Sequence, residues 1–408
     1  MKIEYRHIGF LLGSLLMLLC AACSSSDREE GGGDVPEVKE PSKLEIVVYA
    51  PTHPVVTRAD IGSVEPDAEE RAIQSLDIWV FASENRGTTI HNGDLIGYLN
   101  TQVSSLNGST FEGTYQMTVS EDFSELRPNV DIYVAANAAS AGLNLTKDTP
   151  RATLDAIKIE HTQTADPFGL TTPQSTVPAT GLPMSGVLKN QPIAGNQPLL
   201  KVETKVQVVR AVSKVRFVFS RTDTGDNDKL QITRITLDDG EDVPSSLIPK
   251  QQYLFLDGPY TTRATRIVTT GDAPYEPVSQ LTPLTGADQI KVSTYPAKFT
   301  YNPADENQAS GQGYEVLINT GIADAELSQV GRFYLRESSQ QLKGKIYYKI
   351  GDSAEKSTGF TMYEAGDFSR NHTWIVYGYF AGKETLKVSC VMVRDWDETS
   401  TLYDIYNW

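Results

Sequence analysis

The residue types that ordinarily do chemistry are present, but their spacing assembles no catalytic site. Five histidines occur, His7, His53, His91, His161 and His372, with no HExxH segment and no paired spacing. A zinc hydrolase of that kind needs two imidazoles one helical turn apart with a glutamate beside them. No GxSxG turn presents a nucleophilic serine. Cys390 lies in the apolar run 386–393, where a buried thiol stays protonated and inert. Gly311-Gln312-Gly313 has no phosphate-binding lysine after it. Asp223-Thr224-Gly225-Asp226-Asn227-Asp228 is rich in oxygen ligands. It lacks the spacing and terminal glutamate of a calcium loop, and reads as a turn between strands. Asp395 and Asp397 flank Trp396; a glycosidase pair would have to face each other across a cleft. Trp79, Trp374 and Trp396 could line a sugar site, although packing is the commoner use of tryptophan. We read no enzyme, no metal and no cofactor.

Two residues instead invite chemistry done to the chain. Lys2 and Arg6 precede an apolar run over residues 8–19. It is shorter than the ~20 residues of a permanent span and suits the core of an export signal. Cys20-Ala21-Ala22-Cys23 follows, and the chain turns polar at once. The two small residues before Cys23 resemble a bacterial lipobox, with Cys20 where leucine is usual. Cys23 would then be acylated and become the first mature residue. The Ser/Asp/Glu stretch behind it resembles the surface-export tether of outer-membrane lipoproteins in Bacteroidota. Each buried acyl methylene contributes about 0.8 kcal/mol, so several chains anchor firmly. The second residue is Arg58, followed by Ala59, in a segment that Pro51 and Pro54 keep from forming a helix. It reads as an exposed connector, open to a protease. Arg71-Ala72 is the other basic site nearby; acidic Glu69 and Glu70 and the closeness of the next strand make it less attractive.

Composition narrows the classes further. The formal net charge is −16 and basic residues nowhere form a block, which excludes a nucleic-acid partner. With Cys20 lost and Cys23 lipidated, Cys390 stands alone, so neither an internal disulfide nor a CxxC zinc ribbon is available. Roughly 350 residues remain after leader and tether, more than one typical core holds, so two domains are expected.

The elements that would position these residues are strands. Residues 24–42 read as a flexible tether. Leu44-Glu45-Ile46-Val47-Val48-Tyr49, between Pro41 and Pro51, predicts a strand. Ser75–Phe81 alternates apolar residues at 76, 78 and 80, which predicts one buried face. Further strands are expected at 113–119, 130–137, 230–237, 291–295, 314–318, 344–349, 372–380 and 386–393. A short helix is expected at 151–158 with Thr153, Leu154 and Ile157 inward. In the long run 206–219 the apolar phase shifts between Val208 and Val209, which predicts a bulge or two strands. Turn residues such as Asp238-Asp239-Gly240 and Ala365-Gly366-Asp367 separate the strands. Regular short strands of this kind predict β-sandwiches, with a boundary near residue 204.

The order of several short motifs resembles the FimA-type fimbrillins of Bacteroidales type V pili. Phe368-Ser369-Arg370-Asn371-His372-Thr373-Trp374 resembles the family's Arg-Asn-His-x-Tyr turn, with Trp374 in place of tyrosine. The strand 386–393 and then Asp395-Trp396 follow it. Upstream, Val134-Ala135-Ala136-Asn137, Gly181-Leu182-Pro183-Met184-Ser185 and Val208-Val209-Arg210-Ala211-Val212-Ser213-Lys214-Val215 resemble further family elements. The resemblance spans most of the mature chain.

It implies an all-β protein of two transthyretin-like β-sandwich domains in tandem with a few short helices. The implied segments are a lipoprotein signal peptide (1–23), a tether and propeptide carrying a removable first strand (24–58), an N-terminal domain (59–204) and a C-terminal domain with a donor strand (205–408). It also implies a pilus subunit, held at the outer membrane by lipid and then released into an extracellular fimbrium. An arginine-specific protease would cut after Arg58, removing lipid, tether and first strand together. The groove left behind would take the C-terminal strand of an identical or related subunit. Leu402, Tyr403, Ile405, Tyr406 and Trp408 would carry that strand. In the family an anchor subunit keeps its lipid and lacks the cut, and a tip subunit lacks the donor. Arg58-Ala59 argues against the first role and the apolar tail against the second. The rival class is a monomeric surface glycan-binding lipoprotein, which exposed aromatics on one face would favour.

Overall fold

The computed structural model describes residues 40–50, 68–103, 111–160, 168, 177–221, 230–237, 251–256, 280–283, 290–291, 328–337, 343–350, 352–361, 370–371, 373–381, 385–393 and 402–406. The first half contributes β1 (Lys43–Ala50), β2 (Ser75–Ala82), β3 (Leu95–Gln102), β4 (Phe111–Thr118), β5 (Val130–Ala136), β6 (Lys158–Glu160), β7 (Met184–Gln191), β8 (Ala194–Asn196), β9 (Leu199–Lys201), β10 (Val206–Gln207) and β11 (Val209–Arg210). The second contributes β12 (Ser213–Arg221), β13 (Leu230–Leu237), β14 (Gln251–Tyr253), β15 (Gln280–Pro283), β16 (Ile290–Lys291), β17 (Ser328–Leu335), β18 (Lys343–Ile350), β19 (Lys356–Thr361), β20 (Thr373–Ala381), β21 (Thr385–Val393) and β22 (Leu402–Tyr406). Short helices α1 (Ala68–Arg71), α2 (Glu121–Leu126) and α3 (Arg151–Ala156) join them. The protein is all-β, as the strand spacing predicted.

Strands up to β11 form two facing sheets, except β6, which pairs antiparallel with β14. In one, β1 lies between β4 on one edge and β9 and β10 on the other, with β8 outside β9. The other runs β11-β7-β5-β2-β3, all antiparallel. Leu44, Ile46 and Val48 of β1 interlock with Leu76, Ile78, Val80, Ile132 and Val134 from the opposite sheet, together with Phe111, Met117, Leu200 and Val206. This alternation is why β1 is a strand: every second side chain enters the core while Lys43, Glu45, Val47 and Tyr49 face outward.

The one-sided burial predicted for Ser75–Phe81 is corrected by the structure. The far face of β2 and β5 is buried as well, where Trp79, Phe81 and Tyr133 form a second core with Leu154 of α3, Ile159, Leu182 and Phe255. A helix and loops cover that face, so the strand reads apolar almost throughout. The helix expected at 151–158 ends at Ala156 and buries Leu154, while Thr153 is exposed.

The phase shift at 208–209 has a definite cause. β10 pairs with β1 in one sheet, and β11 pairs with β7 in the opposite sheet. The chain therefore changes sheet between Gln207 and Val209, and each sheet takes its own alternate residues. Gly186 of β7 permits the crossing: a Cβ there would stand 2.1 Å from the Gln207 carbonyl oxygen.

From β12 onward the strands form two further sheets, β17-β12-β20-β21-β22 and β15-β13-β18-β19 with β16 also on β13. Phe217 of the first meets Phe360 of the second edge to face, with ring centroids 5.6 Å apart. The strand expected at 291–295 is Ile290–Lys291, and the one expected at 314–318 falls outside the described residues.

Candidate assembly site

The site begins with the position of β1. It pairs with β4 over its whole length, from Lys43↔Thr118 to Ala50↔Phe111, without a register shift. On its other edge it runs parallel to β9 at Lys43–Glu45 and to β10 at Val48–Tyr49. Flanking amides extend the ladder: Lys43 N donates to Pro198 O at 2.8 Å, Val119 N to Ser42 O at 3.0 Å, Val202 N to Glu45 O at 3.1 Å and Val208 N to Tyr49 O at 2.9 Å. Leu44, Ile46 and Val48 are 0 % exposed. Burying such side chains is worth about 1.5–3 kcal/mol each, comparable in sum with the whole stability of a typical domain, about 5–15 kcal/mol. β1 is thus an interior strand, and it comes first in chain order among the described strands. Taking it out would open an apolar slot with a backbone edge on either side.

The chain downstream of the connector is held firmly. Glu70 of α1 is fully buried, and its carboxylate receives Lys214 Nζ at 2.9 and 3.1 Å and the Tyr334 hydroxyl. Its carbonyl accepts Arg210 Nε at 2.9 Å, and Arg210 Nη1 donates to Asn371 Oδ1 at 3.1 Å. The Ala72 carbonyl accepts Asn137 Nδ2 at 2.9 Å, and Asn137 Oδ1 receives the amides of Gln74 and Ser75 at 2.8 and 3.3 Å. Asn137 adopts φ 54°, which asparagine tolerates better than most residues. Gly181, at φ 80°, leaves room for its amide. Beside this cluster Arg370 is 0 % exposed, pairing with Glu337 at 2.8 Å and donating to Leu254 O at 2.7 Å.

The motifs that resemble fimbrillin elements therefore meet in space. Asn137, Gly181, Arg210, Lys214 and Asn371 surround the segment 70–75 that enters β2. Glu70 was missed by sequence reasoning, which treated it only as an acidic neighbour of Arg71. The available signal was Arg210 and Lys214 inside an otherwise apolar run, since a buried cation needs a buried anion.

The other predicted site residues are distributed as follows. Cys23, Arg58, Ala59 and Trp408 lie outside the described residues. Arg71 ends α1, between the anchored Glu70 and Ala72. Leu402, Tyr403, Ile405 and Tyr406 belong to β22, the edge strand beside β21 in the chain's own sheet. Met392 pairs with Tyr403 and Val391 with Ile405, so Asp404 is the extra residue of a bulge. Trp79 and Trp374 are 0 % and 1 % exposed. They are core residues and line no sugar site; Trp396 is outside the described residues.

A second group of polar side chains is paired around Tyr133. Tyr133 donates to Asp155 Oδ1 at 2.5 Å and is also bonded by Lys189, while Arg151 Nη1 meets Asp131 Oδ2 at 3.0 Å. Burial first, and the neighbouring carboxylates second, push the Tyr133 hydroxyl well above its ordinary range. Tyr98, bonded to Asp77 at 2.6 Å, is raised for the same reasons. Both phenols stay protonated donors, which suits structure rather than base chemistry. Among the described residues no group of three or more His, Cys, Asp or Glu side chains is placed to hold a metal, and no helix is long and apolar enough to cross a membrane.

No family model matches the chain, and no curated protein matches it. Solved structures do. A fimbrial assembly protein from Parabacteroides distasonis is 13% identical with a TM-score of 0.44, covering 90% of this chain and 100% of that one. A fimbrilin (FimA) from Porphyromonas gingivalis is 12% identical with a TM-score of 0.44, covering 86% and 97%. The fimbrial anchor protein Mfa2 from the same organism is 8% identical with a TM-score of 0.40, covering 90% and 100%. All three are fimbrial proteins.

Proposed function

We propose that this chain is a structural subunit of a bacterial surface fimbria, exported as a lipoprotein through Cys23 and polymerised by protease-triggered strand exchange. An arginine-specific protease cuts after Arg58. Lipid, tether and β1 leave together, and the tail 400–408 of an identical or related subunit fills the slot. The observation that carries the proposal is β1 itself, an interior strand with three wholly buried side chains, lying N-terminal to a basic site in a proline-broken connector. A backbone ladder gives strength and alternate side chains give fit. The anchoring of Glu70 and Ala72 favours Arg58 over Arg71 as the cut, because a protease must draw its substrate into an extended form and the Arg71 bond is held on both sides. The same anchor confines the released piece to residues before α1. β22 supports a donor role in one respect: as an edge strand it has a single strand neighbour among the described residues. The chain acts as a stalk subunit supporting adhesion, and catalyses nothing.

The test is to digest the purified full chain with an arginine-specific protease and measure mass and size. Cleavage after Arg58, followed by ladders that Arg58→Ala prevents and that truncation of 400–408 abolishes, is the expected result. A chain that is cut and stays monomeric would sink the stalk role. A chain that resists cutting would instead be an anchor that keeps its lipid.

A further inference from the structure

The two walls of the slot depend on β1 to different degrees. β9 keeps its pairing with β8 at Leu199–Lys201 when β1 is gone. β10 runs directly into β11, which is bonded to β7, and Gln207 lies against Gly186 of that strand. This wall is fixed from behind. β4 is different, because among the described residues all of its strand pairing is with β1. Its inner face is also thin. Gly113 supplies no side chain, and the Tyr115 ring lies over it, close enough that a Cβ at Gly113 would stand 2.6 Å from the phenol oxygen. Only Phe111 and Met117 of this strand are fully engaged in the core. The ion pair from Glu112 to Lys205, 2.8 Å, joins β4 to the far wall, but both partners are about half exposed, and such pairs hold little.

We propose that β4 is a movable lip of the slot: release of β1 frees it, and the strand that fills the slot folds it back. The proposal rests on the strand-exchange function and specifies how that exchange is gated. A stripped β4 has eight residues of backbone without a ladder partner, and unpaired strand backbone does not hold a fixed place. The incoming strand docks first against β9 and β10, running parallel to them as β1 does. β4 then closes on its free edge. The partner is therefore an extended segment of another subunit, entered in one polarity, with apolar side chains at every second position and no bulge along its length.

The experiment is hydrogen exchange read by mass spectrometry on the full chain in detergent. Three states are compared, each read on its monomeric fraction so that no neighbour's tail fills the slot: intact, cut with the arginine-specific protease, and cut with a synthetic peptide of residues 41–50 added back. The expected result is that amides in 111–118 exchange about 100-fold faster or more once β1 leaves. Those of β5 (130–136) should be unchanged, and the peptide should restore 111–118. If the mass shows β1 gone and 111–118 stays protected, the lip is wrong and the slot stands. If cutting releases nothing, strand exchange by cleavage fails, and the lip is tested separately with uncut Ile46→Asp/Val48→Asp, which expels β1 by placing carboxylates in the core. In that variant faster exchange confined to 111–118 supports the lip. Equal acceleration of 111–118 and 130–136, or none, overturns it.

Discussion

Glu70 is the residue on which the most distant parts of the chain agree. It sits 144 positions from Lys214 and 264 from Tyr334, which is why its burial was not legible in the sequence: an acidic residue in a short acidic helix looks solvated until its partners are known. Its partners were half legible, since Arg210 and Lys214 stand out in an apolar run. Removing the acid takes from Lys214 the buried carboxylate it is paired with, while the cation stays enclosed. Glu70→Ala is expected to cost about 3–5 kcal/mol in denaturant unfolding, the usual penalty for breaking a buried pair. Glu112→Ala, which removes an exposed pair, should change stability by less than about 1 kcal/mol. A comparable cost for both would show that the Glu70 cluster is wetter than its burial indicates. Gly186→Ala belongs with Glu70: the added methyl meets a backbone carbonyl that cannot move aside, and a loss of about 1–3 kcal/mol is expected.

Among the elements, β1 was legible because its alternation and flanking prolines both point to a strand, and the phase shift after Val208 marked the change of sheet. β3 and β19 were not legible. Leu95–Gln102 carries Gly97 and three amide or hydroxyl residues at its end, and Lys356–Thr361 is mostly polar. Both are edge strands, which bury too little to show a period. β2 misled in the other direction, since covering layers on both sides erase the polar face. Glu45 and Gln116 are register partners on β1 and β4, bonded at 2.8 Å. A Glu45→Cys/Gln116→Cys disulfide should let the protease cut but hold β1 in its slot. Polymer ladders on a gel should then appear only after a reductant is added; ladders in the oxidised form would show that β1 need not leave. For the tail, a bulge-free slot admits either 400, 402, 404, 406 and 408 or 401, 403, 405 and 407. The first set buries the Asp404 carboxylate without a partner, at a cost of several kcal/mol. Tyr403 and Ile405 are therefore expected inward. Ile405→Asp should abolish ladders and Asp404→Ala should leave them intact; the reverse pattern would show the tail entering in the other frame.

At the scale of the whole molecule, the joint between subunits would be apolar in its side chains and hydrogen-bonded in its backbone. Assembled ladders should survive about 1 M salt, where exposed ion pairs are screened within about 3 Å, and dissolution there would mean that charge holds them. The pairing of β1 with β4 carries one more consequence. The ladder lies along the strand and has no register shift, so a tug on a strand seated in that place, directed along its own axis, would load every rung at once. It could not peel them one after another. The filament would behave as a chain of shear joints, stiff until a single abrupt failure. Pulling one assembled pair by its ends should give one large rupture, and a staircase of small ones would show that the joint opens like a zip.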